Sequence, residues 1–208
     1  GCSSASIYAR KSDLFCDRSR ICDRFGDVYL MKHIHFIGIG GTGLSAIARI
    51  LLQQGYDVSG SDSFASNYFA DITRDGAKTV LGHDSNNILG ADLVVRSSAI
   101  KVDNPEVKAA IAQGIPVMKR SEFLPILLQG LDTIAIAGSH GKTTTTSMVL
   151  YILNGLGTDP SFISGASVKQ VGTNAMAGKS KLFVIEADEY DNMFLGLDPL
   201  ISVITNIE

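Results

Sequence analysis

The sequence has 208 residues, of which 45% are hydrophobic and 19% are charged, and its formal net charge is −3. These values are typical of a globular protein with one large or two small domains. The chain has no basic excess that would indicate nucleic-acid binding, and no apolar run long enough to span a membrane.

Residues 1–30 differ from the rest of the chain. Charges of both signs follow one another there without a steady apolar period, and the segment lacks the apolar core of a signal peptide. It also contains all three cysteines, Cys2, Cys16 and Cys22, in no metal-ligand spacing. We therefore predict a loosely ordered leader before a natural start at Met31. The cysteine-free remainder fits a protein of the reducing cytoplasm.

From Met31 onward, short apolar runs alternate with helical periods, which predicts an α/β fold. The first part, residues 31–130, is expected to form a Rossmann-like open parallel sheet with helices on both faces. The predicted strands are residues 33–37, 56–60, 78–81, 92–96 and 115–118. The predicted helices are residues 43–53, 66–75, 104–113 and 121–129, the third with Asn104 as its N-cap and Pro105 in its first turn.

A glycine-rich loop follows the first predicted strand. Gly38, Gly40 and Gly43 form a Gly-x-Gly-x-x-Gly pattern before a helix, and Asp62 lies just after the next strand. This is the dinucleotide-binding fingerprint, in which the helix N-terminus receives a diphosphate. Alone it indicates a nicotinamide or flavin dehydrogenase, but the pattern is weak evidence and leaves the ligand open.

A second unit is predicted over residues 131–208, as the first part of a P-loop ATPase domain. Strand 133–137 is followed by the turn Gly138-Ser139-His140-Gly141-Lys142-Thr143-Thr144 and a helical pattern at 147–153. This arrangement is typical of a triphosphate cradle, in which Lys142 reaches the β- and γ-phosphates and the Thr143 hydroxyl ligates Mg²⁺. Ile136 stands where a general P-loop has its first glycine. The alternative is a glycine turn capped by a threonine-rich helix start.

Further short apolar strands are predicted at residues 161–164, 181–187 and 200–206. An acidic segment, Glu186-Ala187-Asp188-Glu189-Tyr190-Asp191, follows the second of them. Because ligands of parallel α/β sheets gather at the carboxyl ends of strands, Glu186 is the preferred second Mg²⁺ ligand. The alternative is a solvated acidic turn.

Five stretches together make the chain resemble the Mur ligases, the ATP-dependent ligases of peptidoglycan precursor synthesis. They are residues 35–45, 97–100, 138–146, 172–175, and 183–191 with 203–208. The sequence departs from the family pattern at Leu44, Ala46, Ser139 and Gly165-Ala166.

The resemblance implies that the first loop binds the diphosphate of a UDP-sugar rather than a dinucleotide. Its expected contacts are Gly38, Gly40, Gly41, Thr42 and Gly43, with Asp62, Ser97 and Ser98 near the nucleoside and Asn174 facing the muramoyl group. The second loop, Gly138 to Thr144, is expected to bind ATP, with Thr143 and Glu186 on Mg²⁺. His140 is expected to position phosphate or substrate, and Lys142 to act in catalysis.

The implied reaction joins L-alanine to the lactyl carboxylate of UDP-N-acetylmuramate through an acyl phosphate. The family motif that begins at Thr205 implies a truncated central domain, so we expect a fragment that is inactive by itself. A related ligase that adds a preformed peptide to the same UDP-sugar is one alternative, although Gly38–Gly41 and residues 193–197 favour the alanine-adding enzyme. The others are an isolated UDP-sugar-binding module and a dehydrogenase domain.

Overall fold

The computed structural model describes residues 31–187 and 197–207. The predicted leader with its cysteines, the acidic residues Asp188, Glu189 and Asp191, most of the 193–197 stretch, and Glu208 lie outside the described residues. Within the described part of the chain, we find no helix with the length and apolar character needed to cross a bilayer.

The first sheet has five parallel strands in the order β3-β2-β1-β4-β5. These strands are β1 (His33–Ile37), β2 (Asp57–Asp62), β3 (Lys78–Leu81), β4 (Leu93–Arg96) and β5 (Val117–Lys119). The order reverses between β1 and β4, and in open parallel sheets this switch point is where ligands bind, beyond the carboxyl ends of the strands. The predicted Rossmann-like parallel sheet is confirmed.

Helices cover both faces of this sheet, as predicted. They are α1 (Thr42–Gln53), α2 (Asn67–Arg74), α3 (Pro105–Ala112) and α4 (Arg120–Leu128), with a 3-10 turn at Ser85–Ile88. Alternate β1 residues separate the two faces: Ile34 and Phe36 pack in the cluster of α1 and α4, whereas Ile37 packs in the cluster of α3. The predicted cap of α3 is also confirmed, because the Asn104 side chain accepts a hydrogen bond of 2.9 Å from the Glu106 amide.

The second sheet has the order β10-β6-β9-β7-β8. Its strands are β6 (Asp132–Ala137), β7 (Ser161–Val168), β8 (Thr173–Met176), β9 (Leu182–Glu186) and β10 (Ile201–Ile204), and helix α5 (Lys142–Gly155) follows β6. Strand β8 is antiparallel to β7, whereas the other pairs are parallel. The sequence predicts no strand at β8, because Thr173-Asn174-Ala175-Met176 is not an apolar run; a short turn brings it back along β7.

Helix α1 contacts both sheets. One buried cluster combines α1 residues such as Ile47 and Ile50 with Phe36 of the first sheet and with Phe183 and Ile185 of the second. The helix that begins at the first glycine-rich loop is therefore packed between the two sheets. The predicted boundary near Gln129-Gly130 falls between α4 and β6, and the division into two domains there stays a prediction.

Candidate functional site

The first glycine-rich loop is bonded to the end of β2. The Gly38 and Gly40 amides donate to the Ser61 carbonyl at 2.8 Å and to Asp62 Oδ2 at 2.8 Å. Gly38 has φ +88°, and a methyl group added to it would lie 3.1 Å from the Ser97 side chain. A left-handed backbone angle and this close approach explain why glycine is needed at Gly38.

The N-terminus of α1 is suited to an anion. Its N-cap is Gly41, which has no side chain to bond the helical amides, and the first turn contains no acidic residue. The first backbone N–H groups of a helix lack intrahelical partners, and the helix dipole favours negative charge there. Ser97 and Ser98 follow β4, on the other side of the switch point. The structure thus brings the predicted diphosphate loop together with the predicted nucleoside residues of β2 and β4.

Asp62 supports the loop directly. Besides the Gly40 contact, its Oδ1 accepts a hydrogen bond of 2.7 Å from the Ser63 amide. A carboxylate has further lone pairs, so these two bonds leave acceptor capacity. The expected contact of Asp62 with a nucleoside stays a prediction, and its observed contacts make it an organiser of the loop.

Asn174 is buried and joins the second sheet to the first loop. Its Oδ1 accepts from Arg49 Nη1 at 2.6 Å, and its Nδ2 donates to the Thr42 carbonyl at 3.2 Å. Arg49, which is 7% exposed, also forms an ion pair of 2.6 Å with Asp75. The role of Arg49 is not evident from the sequence, because an arginine inside an apolar helix gives no sign of a partner 125 residues away. The predicted role of Asn174 toward a muramoyl group stays a prediction.

The second glycine-rich loop leads into α5. Gly141 is the helix N-cap with φ +80°, and Gly138 has φ +132°. The Lys142 ammonium donates to the Gly138 carbonyl at 2.5 Å and so lies over its own loop. The loop also contacts the segment after β10, since the His140 amide donates to Asn206 Oδ1 at 2.9 Å. The exposed Ser139, His140 and Thr144 leave this loop accessible to a ligand.

Glu186 lies opposite the start of α5, and its predicted role as a metal ligand stays a prediction. Its side chain is 6% exposed, with Oε2 accepting from the Thr143 hydroxyl at 3.3 Å and Oε1 accepting from the Ser164 hydroxyl at 2.5 Å. A methyl group on Gly165 would lie 2.9 Å from Oε2. Hydroxyl and carboxylate oxygens are the ligands that Mg²⁺ prefers, so this donor set fits that ion.

The described residues at this position could fill only part of a magnesium coordination shell. Among the described residues, no group of three or more histidine, cysteine, aspartate or glutamate side chains is arranged to hold a metal. Mg²⁺ commonly retains several waters and binds through one or two protein groups plus substrate phosphates. The Thr143–Glu186 pair is consistent with that mode.

A buried polar network that is not evident from the sequence lies under the first loop. Glu106, which is fully buried, accepts hydrogen bonds from Ser61 at 2.6 Å and from Asn87 at 2.5 Å. His35 and His83 approach its Oε2 at 3.6 Å and 3.4 Å. The Ser61 carbonyl also accepts a hydrogen bond from the Gly38 amide, so the network supports the base of the first glycine-rich loop.

The pKa of Glu106 reflects opposing effects. Burial raises the pKa of this carboxyl, but the approach of His35 and the hydrogen bonds from Ser61 and Asn87 outweigh burial and hold the pKa below its usual value. Its contribution to stability is therefore present above the pKa of an unfolded glutamate, about 4.3. The contribution is lost as the pH falls through the lower pKa of the folded state.

We expect Glu106→Gln to lower the free energy of unfolding at neutral pH by about 1–3 kcal/mol, because it removes a charged acceptor from buried donors. The difference from the wild type should shrink as the pH falls below the folded-state pKa, which denaturant unfolding at several pH values measures. Asp103→Asn, at an exposed carboxylate near the same helix, is the matched control. An equal loss of stability at neutral and at acid pH would contradict the assignment.

Comparisons with known proteins relate this chain to the Mur ligases. A family model described as "Mur ligase family, catalytic domain" matches residues 33–131. The UDP-N-acetylmuramate–L-alanine ligase of Arthrobacter sp. (strain FB24) is 49% identical over 178 residues, which are 86% of this chain and 38% of the relative. The enzyme of the same name from Desulfosudis oleivorans is 52% identical over 176 residues, 85% of this chain and 38% of the relative. The chain thus spans well under half the length of these curated relatives.

Solved structures give the same picture. The UDP-N-acetylmuramate–alanine ligase from Thermotoga maritima matches with a TM-score of 0.79 and 32% identity, over 85% of this chain and 41% of that one. The UDP-N-acetylmuramate:L-alanyl-gamma-D-glutamyl-meso-diaminopimelate ligase from Neisseria meningitides matches with a TM-score of 0.79 and 32% identity. This match covers 86% of this chain and 61% of that one. Both proteins share more than a fold with this chain, since 32% of the aligned residues are identical.

Proposed function

Because this chain belongs to the Mur ligase family, we propose that it is the N-terminal part of an ATP-dependent ligase that joins L-alanine to UDP-N-acetylmuramate. The observation that carries the proposal is the pair of glycine-rich helix starts, one at α1 and one at α5, with Glu186 facing the second. Two phosphate-binding loops of different types suit an enzyme that holds a nucleotide sugar and a nucleoside triphosphate together. We propose the cytoplasm as the location, because the reaction would consume ATP and a nucleotide sugar.

In the proposed reaction, the lactyl carboxylate of the UDP-sugar attacks the γ-phosphorus of ATP, and the bond to the ADP oxygen breaks. The amine of L-alanine then attacks the acyl phosphate carbon, and phosphate leaves as the amide forms and the amine loses a proton. Phosphoryl transfer needs positioning and neutralisation of charge more than covalent help from the protein. We assign the neutralisation to Lys142, and the positioning to the backbone amides of Gly138–Thr144, with His140 beside them.

Thr143 and Glu186 are the residues that would hold Mg²⁺. When bound, the ion supplies positive charge to the triphosphate. The buried hydroxyl of Ser164 orients the Glu186 carboxylate toward Thr143, since it bonds the other oxygen of that carboxylate. UDP-sugar binding is assigned to the loop from Gly38 to Gly43, with Asp62, Ser97, Ser98 and Asn174 around it.

A second candidate function is the addition of a preformed peptide to the same UDP-sugar. Its support is specific, because the ligase from Neisseria meningitides matches this chain with the same TM-score and identity as the alanine ligase from Thermotoga maritima. Both reactions use the same loops in this part of the chain. Phosphate release by the full-length protein with L-alanine or with the tripeptide as acceptor separates the two.

The nucleotide specificity of the first loop is tested by binding. We expect the 208-residue chain to bind UDP-N-acetylmuramate in calorimetry, to release it on addition of UDP, and to leave NAD unbound. The reason is that a diphosphate fits the α1 N-terminus while Asp62 and the residues after β4 are placed to contact one nucleoside. Tight binding of NAD without binding of UDP would overturn the assignment of the UDP-sugar to the first loop. It would favour a dehydrogenase domain instead.

A further inference from the structure

Arg120 lies over the first turn of α1. It is the first residue of α4, directly after β5, and its guanidinium packs against Gly43. A methyl group added to Gly43 would lie 1.8 Å from Arg120 Nη1 and 3.0 Å from Cζ. The third glycine of a dinucleotide fingerprint ordinarily permits close packing between helix and strand. Here the space above it is filled by the head of an arginine.

The guanidinium has unused donor capacity. Arg120 Nη2 is buried and lacks a hydrogen-bond partner among residues 31–187 and 197–207. Buried polar atoms in folded proteins are nearly always hydrogen-bonded, and a guanidinium offers only donors. The acid nearest on the same helix, Glu122, is engaged elsewhere, because it accepts a hydrogen bond of 2.7 Å from the Lys119 amide. An acceptor supplied by a bound ligand would complete the hydrogen bonding of this guanidinium.

Its surroundings select an anion. The first turn of α1 contains no acidic residue, so the helix amides and the arginine present positive charge at one place. Guanidinium groups bind phosphate through two parallel N–H donors, which adds geometric specificity to the charge.

We propose that Arg120 binds the diphosphate held at the first glycine-rich loop, and that Gly43 keeps the space in which its guanidinium lies. The inference rests on the proposed function, since it assumes a nucleotide diphosphate as the ligand of that loop. Arg120 would add a positive charge to the site. The other groups proposed there are backbone amides, uncharged side chains and the Asp62 carboxylate. Arg120 thereby favours nucleoside diphosphates over ligands that lack phosphate.

The test compares UDP with uridine on the 208-residue chain. Arg120→Gln should raise the Kd for UDP about 10- to 100-fold, which is the range for loss of a charge-assisted hydrogen bond. The Kd for uridine should stay within about twofold, as measured by ligand NMR titration. Arg120→Lys should recover part of the UDP affinity. Arg74→Gln removes one exposed positive charge from α2 and is the matched control, with no expected change for either ligand.

Gly43→Ala gives a second, independent variant. Its methyl group should displace the guanidinium and reproduce the loss of UDP affinity, and the double variant with Arg120→Gln should lose no more than Arg120→Gln alone. Additive losses would overturn the role of Gly43 as the space for Arg120.

Each further outcome is decisive. If Arg120→Gln weakens UDP and uridine equally, or leaves both unchanged, Arg120 does not contact the phosphates and the inference is wrong while the proposed function stands. If the wild-type chain binds no UDP at all, the proposed function itself fails and this inference with it. Thermal unfolding of each variant shows whether a lost affinity reflects a lost fold.

Discussion

Replacing Lys142 with alanine in the full-length protein should lower the turnover rate by about 10²–10³-fold, the usual cost of removing one fixed charge that stabilises a transition state. The ammonium lies over the loop, 2.5 Å from the Gly138 carbonyl, and this loop is the one proposed to bind the triphosphate. The backbone donors of the loop remain in the variant, so ATP should still bind. The loss should therefore appear in kcat more than in KM.

Two further measurements make this result specific. The Kd for the UDP-sugar should hardly change, because that ligand is assigned to the loop at α1. Lys179→Ala removes an exposed lysine that follows β8 and should leave turnover unchanged. Near-normal turnover in Lys142→Ala would refute the P-loop assignment. Loss of UDP-sugar affinity alone would mean that the two glycine-rich loops have been assigned to the wrong ligands.

The parts of the fold that depend on local pattern were predictable from the sequence. Strand β1 was predicted with its observed ends, and so was β3, because apolar alternation and the following glycines define them. The N-cap at Asn104 was also predictable from a local pattern, since the cap and the proline after it are neighbours in sequence. Both glycine-rich loops were also found at their helix starts, because a strand–turn–helix motif is a local signal.

Features that depend on contacts between distant residues were not predictable. The buried carboxylate of Glu106 reads in the sequence as an ordinary acidic residue in a first helical turn, and only the fold places it against Ser61 and His35. Arg120 stands at a helix start, and nothing in the sequence links it to Gly43, 77 positions earlier. Only the fold shows that a methyl group on Gly43 would collide with the Arg120 guanidinium. Such pairings follow from the order of strands in the sheet, which local periodicity does not encode.

The hydrogen bond from Asn174 to the Thr42 carbonyl helps to hold the two glycine-rich loops in a fixed relative position. It joins β8 of the second sheet to the first turn of α1, and Arg49 bonds both Asn174 and Asp75. Helix α1 is also packed between the sheets through one apolar cluster. The first glycine-rich loop is therefore fixed relative to the sheet that carries the second loop, as the proposed phosphoryl transfer between two bound nucleotide ligands requires.

Replacing Glu186 with glutamine should separate stability from activity. In the full-length protein, turnover should fall by about 10²-fold or more, because a neutral amide holds Mg²⁺ poorly and the charge on the triphosphate is then less neutralised. Without metal, the 208-residue variant should be at least as stable as the wild type. The reason is that Glu186 is 6% exposed and has hydroxyl donors from Thr143 and Ser164 as its described side-chain partners. Glu106, in contrast, has the imidazoles of His35 and His83 beside it. A buried carboxylate that has hydroxyl partners but no such neighbour is costly.

Mg²⁺ with a non-hydrolysable ATP analogue should raise the melting temperature of the wild-type chain more than that of Glu186→Gln, because a ligand stabilises only the folded state that binds it. Ser164→Ala is the control: it removes the hydrogen bond to Oε1 but keeps the carboxylate, so most of the metal-dependent stabilisation should survive. Equal stabilisation of the wild type and Glu186→Gln by Mg²⁺ would show that the ion is held without Glu186. The carboxylate would then have a structural role at the end of β9, and the metal assignment would pass to Thr143 and the phosphates.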